Sequence, residues 1–167
     1  MRETEKMIKA ADFEARRLPI EAAKAYEEIL KSSEATLDCY LNLAVLYFAS
    51  NDYGFEVSHG LSPQFVAFAF QRMFEVLDEA ESRFGQVSDI LFWRKYFKFI
   101  IFGEELSIEE VKQMARYSKS LVPYFHLCVV DAEEVDRDAV RRLFEIVRNG
   151  DTELKRYVKG ILESRLD

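Results

Sequence analysis

Glycine and proline limit most directly where a helix can run, and this sequence uses them as punctuation. It contains six glycines and three prolines, and nearly all of them fall where a helix would begin or stop. Pro19 follows EARRL and opens PIEAAKAYEEILK. Ser62 and Pro63 form an N-cap and first-turn pair ahead of QFVAFAFQRMFEVLDEAESRF, which Gly85 closes. Ser88 and Asp89 start the run DILFWRKYFKFIIF, and Gly103 ends it. The stretch SIEE, Ser107 to Glu110, reads as a capping box in which the glutamate reaches back to the cap amide. Gly150 and Asp151 separate RDAVRRLFEIVRN from TELKRYVKGILESR. This punctuation predicts an all-α chain of about nine helices arranged as hairpins.

One stretch competes with that reading. Ser120 to Val130, SLVPYFHLCVV, is dense in Val, Tyr and Phe and short enough for a strand. We read it as helix, because its neighbours are helical and a lone strand would leave its ladder unpaired.

With 167 residues, 49% of them hydrophobic and 32% charged, the chain has enough core material for one globular domain over 1–167. The net charge of −7 is spread evenly: residues 1–103 carry 16 acids against 12 bases, and residues 104–167 carry 14 against 11. No half of the chain is basic, so no nucleic-acid partner is expected. Apolar runs are broken by charges well before the roughly 18 residues of a membrane span, and the N-terminus has no apolar signal-peptide core. A cytoplasmic protein is expected, with Cys39 and Cys128 as buried thiols rather than a disulfide.

A repeat lies within the first third of the chain. At an offset of 34 residues Met7 falls on Leu41, Ala10 on Ala44 and Phe13 on Tyr47, and 34 is the tetratricopeptide (TPR) period. The segment LNLAVLYFASNDY resembles the later part of a TPR first helix, with Tyr40, Leu43, Ala44 and Tyr47 at the aromatic, Leu, small and Tyr positions. Pro19 onward resembles a TPR second helix, with Ala22 at the small position and Tyr26 at the aromatic one. Small residues let helices approach and large ones fill the space between hairpins. The sequence departs from the pattern at Glu34, where a proline is usual, and at Lys6 and Lys9, which replace the first repeat's aromatic and Leu. Residues 1–53 carry the best match, 54–62 read as an inserted loop, and 63–167 as a divergent continuation of a TPR-like α-solenoid.

The resemblance implies a concave groove lined by first helices and filled by a peptide or helix of a protein partner. Carried over residue by residue, its lining is Leu41, Asn42, Val45 and Phe48, with Ala49, from one repeat and Trp93, Arg94 and Phe97, with Ile101, from the next. Asn42 and Arg94 match positions that hold a partner's terminal carboxylate in some TPRs. Met7, Ala11 and Ile90 do not supply the rest of that clamp, so an apolar and aromatic groove is expected instead. The resemblance thus implies an adaptor, chaperone or scaffold, and the same aromatic surface also suits self-association.

Catalytic signatures are thin. His59 and His126 are the only histidines, and no HExxH, CxxC, phosphate-cradling glycine loop or GxSxG occurs, so no enzyme, cofactor or metal is expected. The acidic run Asp131 to Asp138 lacks the glycine and terminal glutamate of a calcium loop and reads as a linker with an N-capping aspartate. The cluster FWRKYFKF could stack bases beside Arg94, Lys95 and Lys98, but a buried helix with a solvated basic stripe suits the acidic chain better. The alternative function is a ligand-binding or enzymatic helical domain with an enclosed pocket near 54–62, where His59 would stand exposed.

Overall fold

Residues 3–165 are described by the computed structural model, and they contain ten α-helices and no strand. The chain divides into two compact units. One holds the residues up to Phe84 together with Gly150–Leu154, and the other holds Gly85–Asn149 and the residues from Lys155 on. The division falls at Gly85, whose φ of 82° ends a helix in a conformation that favours glycine. Among the described residues no helix is long and apolar enough to cross a membrane.

The first unit is built from α1 (Glu3–Ala15), α2 (Pro19–Leu30), α3 (Leu37–Ala49), α4 (Tyr53–His59) and α5 (Pro63–Phe84). Helix α1 packs on α2, α2 on α3, and α3 on α5. Ala10, Ala22 and Ala44 are wholly inaccessible, and Tyr26 and Tyr47 are buried beside them. From Cys39 to Ala49 every residue of α3 except Asn42 is buried, as expected of a helix that is apolar nearly all round.

Polar ties fix how these helices sit. Arg72 of α5 grips Glu27 of α2 with Nε at 2.8 Å from one oxygen and a terminal nitrogen at 2.9 Å from the other. Tyr47 of α3 donates to the same carboxylate at 2.8 Å. Its phenol pKa is pushed well above the ordinary value, first by burial and then by the Glu27 carboxylate. At the other end of α5, Arg83 donates to the carbonyl oxygens of Ser32 and Ser33 just after α2.

Helix α1 stops at Arg17, the one non-glycine residue with positive φ among those described, at 59°. Leu18 N donates to Phe13 O and Arg17 N to Glu14 O, the paired bonds of a Schellman ending in which glycine normally occupies this position. Arg17→Gly relieves the Cβ strain at the cost of a looser unfolded chain. It is expected to raise the unfolding free energy by about 0.5–1 kcal/mol, read from the urea midpoint.

Most of the segment 54–62 is helical, since α4 runs from Tyr53 to His59. Asp52 accepts a hydrogen bond from Phe55 N at 3.0 Å and so caps α4, and Gly60 closes it with φ 60°. Sequence reading missed the helix because its few residues carry no apolar period.

The second unit contains α6 (Ser88–Phe102), α7 (Ile108–Tyr117), α8 (Tyr124–Val130), α9 (Arg137–Val147) and, from Lys155, α10 (Glu153–Glu163). Ser107 and Glu110 form the capping box of α7, as their spacing predicts, and of the aspartates in the acidic run it is Asp136 that caps α9. The ambiguous stretch contains no strand. Its first residues turn over Asp89, a buried carboxylate that accepts from Ser120 Oγ at 2.6 Å and Lys119 N at 3.2 Å, and helix follows from Tyr124.

Rings fill the middle of this unit. Trp93 lies 5.4 Å from Phe92, 5.7 Å from Phe97 and 5.7 Å from Phe125 between ring centroids. Tyr96 and Tyr157 share a 2.6 Å hydroxyl contact, and His126 is buried edge-on to Tyr96 and Phe99. Its Nε2 has no hydrogen-bond partner. Burial therefore holds the imidazole pKa below its ordinary 6.5.

The folded protein keeps this ring neutral while the unfolded chain binds a proton once pH falls through 6.5. The stabilisation is accordingly complete above that pH and is lost as pH drops below it. The urea midpoint of the native chain is expected to fall more between about pH 7 and about pH 5 than that of His126→Phe. Parallel curves for the two proteins would contradict the assignment.

Candidate functional site

The seven residues expected to line a groove divide between the two units. Leu41, Asn42, Val45 and Phe48 stand on α3, and Trp93, Arg94 and Phe97 on α6. Val45 is 0% exposed, Phe97 0% and Trp93 1%, while Leu41 and Phe48 are below a tenth. An anchor must present surface to its partner, and these five side chains present almost none. Trp93 and Phe97 are part of the aromatic core of the second unit. Asn42 is half-buried with its amide beside the Tyr26 hydroxyl, and Arg94 is half-exposed.

His59 is half-buried rather than exposed. Its ring stacks on Phe55 at 4.0 Å between centroids, and its Nδ1 donates to the Phe55 carbonyl at 2.8 Å. On the basic stripe of α6, Lys95 pairs with Glu110 of α7 at 2.8 Å. Cys39 and Cys128 are free and buried. Among the described residues no three His, Cys, Asp or Glu side chains are grouped to hold a metal ion.

An accessible, mostly apolar groove of about 330 Å³ lies instead between α1 and α2. Phe13 and Ala25 form its apolar surface, Lys6 and Lys9 border it from α1, and Glu21, Lys24 and Glu28 border it from α2. Helical spacing explains the grouping, since residues 6, 9 and 13 share one face of α1 and residues 21, 24, 25 and 28 share one face of α2.

Lys6 and Lys9 are the two positions where the TPR-like pattern would have a large aromatic and a Leu. A lysine side chain is thinner than an aromatic ring and can lie along an apolar wall while its charge stays in reach of water. Lys9 Nζ lies 5.8 Å from the Phe13 ring centroid, within reach of the ring face.

The charges around this groove are unbalanced. Among the described residues Lys6, Lys9 and Lys24 take part in no ion pair, whereas Glu28 is engaged by Lys31. Three lysines thus border an apolar surface on a protein whose net charge is −7, and Glu21 is the one bordering carboxylate that, among the described residues, also takes part in no ion pair. Sequence reading registered the two lysines of α1 only as departures from a pattern. The signal it lacked was their convergence with Lys24, which depends on how the hairpin closes.

No protein-family model, no curated protein and no solved structure matches this chain.

Proposed function

We propose that this chain is a protein-interaction module built on TPR-like helical hairpins, and that the α1–α2 groove holds an acidic, amphipathic segment of a partner protein. The observation that carries the reading is the trio of unpaired lysines around Phe13 and Ala25. Apolar side chains of the partner would cover the Phe13 ring, and its carboxylates would meet lysines that take part in no ion pair among the described residues. The sealed alanines at positions 10, 22 and 44, with Tyr26 and Tyr47 filling the space around them, support the hairpin reading. The buried state of Val45, Trp93 and Phe97 moves the proposed docking surface from α3 and α6 to the first hairpin.

A photo-crosslinking residue placed at Ala25 in the native host tests this. The expected result is a saturable crosslink to one protein, through a segment that alternates acidic and apolar residues. A synthetic peptide of that segment should bind the purified chain one to one. Reversing all three charges, with Lys6→Glu, Lys9→Glu and Lys24→Glu, should weaken that peptide by about tenfold or more at low salt and less at high salt. A peptide that binds the reversed variant equally well overturns the reading, as does a captured segment without acidic residues.

A further inference from the structure

The second unit holds a cavity of about 400 Å³ bordered by Arg137 and Arg141 of α9 and by Ser164 and Arg165 at the end of α10, with Cys128 of α8 and Val140 in its wall. Three guanidinium groups around one cavity repel each other, and an acidic protein has carboxylates enough to neutralise them. It does so only in part. Among the described residues Arg165 takes part in no ion pair, and Arg137 makes one long contact, 3.5 Å, to the carbonyl of Ala132. Arg141 pairs with Asp138 at 3.1 Å through side chains that are 69% and 85% exposed, a contact of the kind that contributes little and is readily exchanged.

The nearby acids are engaged elsewhere or stand outside the cavity. Asp136 is bonded to the first amides of α9, and Asp131 is paired with Lys112 at 3.0 Å. Glu133 and Glu134 are exposed and do not border the cavity. Burial pushes the Cys128 thiol pKa up, while the guanidinium charges of Arg165 and Arg137 pull it down. Both charges therefore act on the cavity wall.

We propose that this cavity binds a small phosphate monoester, its phosphoryl oxygens held by Arg137, Arg141 and Arg165 with the Ser164 hydroxyl and its organic part against Val135 and Val140. Arginine forks present paired donors that match phosphate oxygens, and charge-assisted bonds of this kind are among the stronger polar contacts. The cavity is several times larger than a bare oxyanion, and its valine and alanine walls suit a carbon-bearing ester. The site is in the second unit and does not rest on the proposed partner groove.

Phenyl phosphate serves as the probe, with phenol and inorganic phosphate as controls. Binding is followed by calorimetry and by the rate at which methyl methanethiosulfonate modifies Cys128, located by mass spectrometry. Cys39 is fully buried in the first unit and is not expected to compete. Phenyl phosphate should bind one to one and slow modification of Cys128 about tenfold at saturation, with phenol inactive. The double variant Arg137→Gln with Arg165→Gln should weaken binding by about tenfold or more, whereas Arg142→Gln, on the same helix but outside this cavity, should leave it unchanged.

If the double variant does not fold by circular dichroism, Arg165→Gln alone serves, since that residue lies exposed beyond the end of α10. Absence of saturable binding in the native chain overturns the proposal, and so does affinity that survives loss of the arginines. Inorganic phosphate protecting Cys128 as well as phenyl phosphate overturns the ester. A phosphoserine peptide that protects where phenyl phosphate does not overturns the small ligand.

Discussion

Trp93→Ala is expected to lower the unfolding free energy by about 3–5 kcal/mol, measured by urea denaturation followed by circular dichroism. The indole is 1% exposed and meets Phe92, Phe97 and Phe125 with centroids 5.4–5.7 Å away. Removing it deletes a large apolar transfer contribution and leaves a cavity that surrounding rigid rings refill poorly. For a fold held by about 5–15 kcal/mol, a loss of that size takes up much of the margin. Trp93→Phe keeps a ring and is expected to cost roughly half as much. As the chain has one tryptophan, native fluorescence gives an independent reading: emission should be blue-shifted and resistant to iodide. A change below about 1 kcal/mol together with easy quenching would return Trp93 to the surface as a candidate anchor.

The contrast between core and anchor marks what the sequence made legible. Capping residues act within one turn of their own helix, so Ser107 with Glu110 and Ser62 were readable from spacing alone, and the acidic run before α9 was readable as holding a capping aspartate, which is Asp136. The small positions Ala10, Ala22 and Ala44 were readable because close helix approach needs small side chains, and Ala10 and Ala44 stand one 34-residue offset apart. Aromatic residues carry no such directional information. Trp93 and Phe97 suit a groove wall and a core equally well, and only the position of Phe125, distant in sequence, decides between them. The candidate sites depend still more on tertiary placement. Lys6, Lys9 and Lys24 meet across a hairpin, and Arg165 meets Arg137 and Arg141 only because the end of α10 reaches the start of α9.

Glu14 is a residue that its charge assigns to solvent, yet it follows Ala10 by one turn on the same face of α1 and is 1% exposed. Tyr26 Oη donates to one of its oxygens at 2.6 Å and the amide of Glu153 to the other at 3.0 Å. Burial and the Glu14 carboxylate together push the Tyr26 phenol pKa far above its ordinary value, with the Asn42 amide opposing them. Glu14→Ala strands both donors away from water and opens a void. With about 1–3 kcal/mol for each orphaned group, a loss of about 3–5 kcal/mol is expected in urea unfolding. Glu14→Gln is the sharper probe, because an amide can accept from Tyr26 but then turns its own N–H₂ toward the Glu153 amide; a substantial cost is expected despite unchanged shape. Tyr26→Phe alone should cost about 1.5–3 kcal/mol, the range for hydrogen bonds to a charged group. In the Glu14→Ala background the same change should be close to neutral, since the hydroxyl it removes has already lost its acceptor. The resulting coupling, about 1.5–3 kcal/mol, is the signature of a bond buried between α1 and α2. Single costs that simply add would mean that water reaches the carboxylate and that the first hairpin is held by its alanines and rings alone.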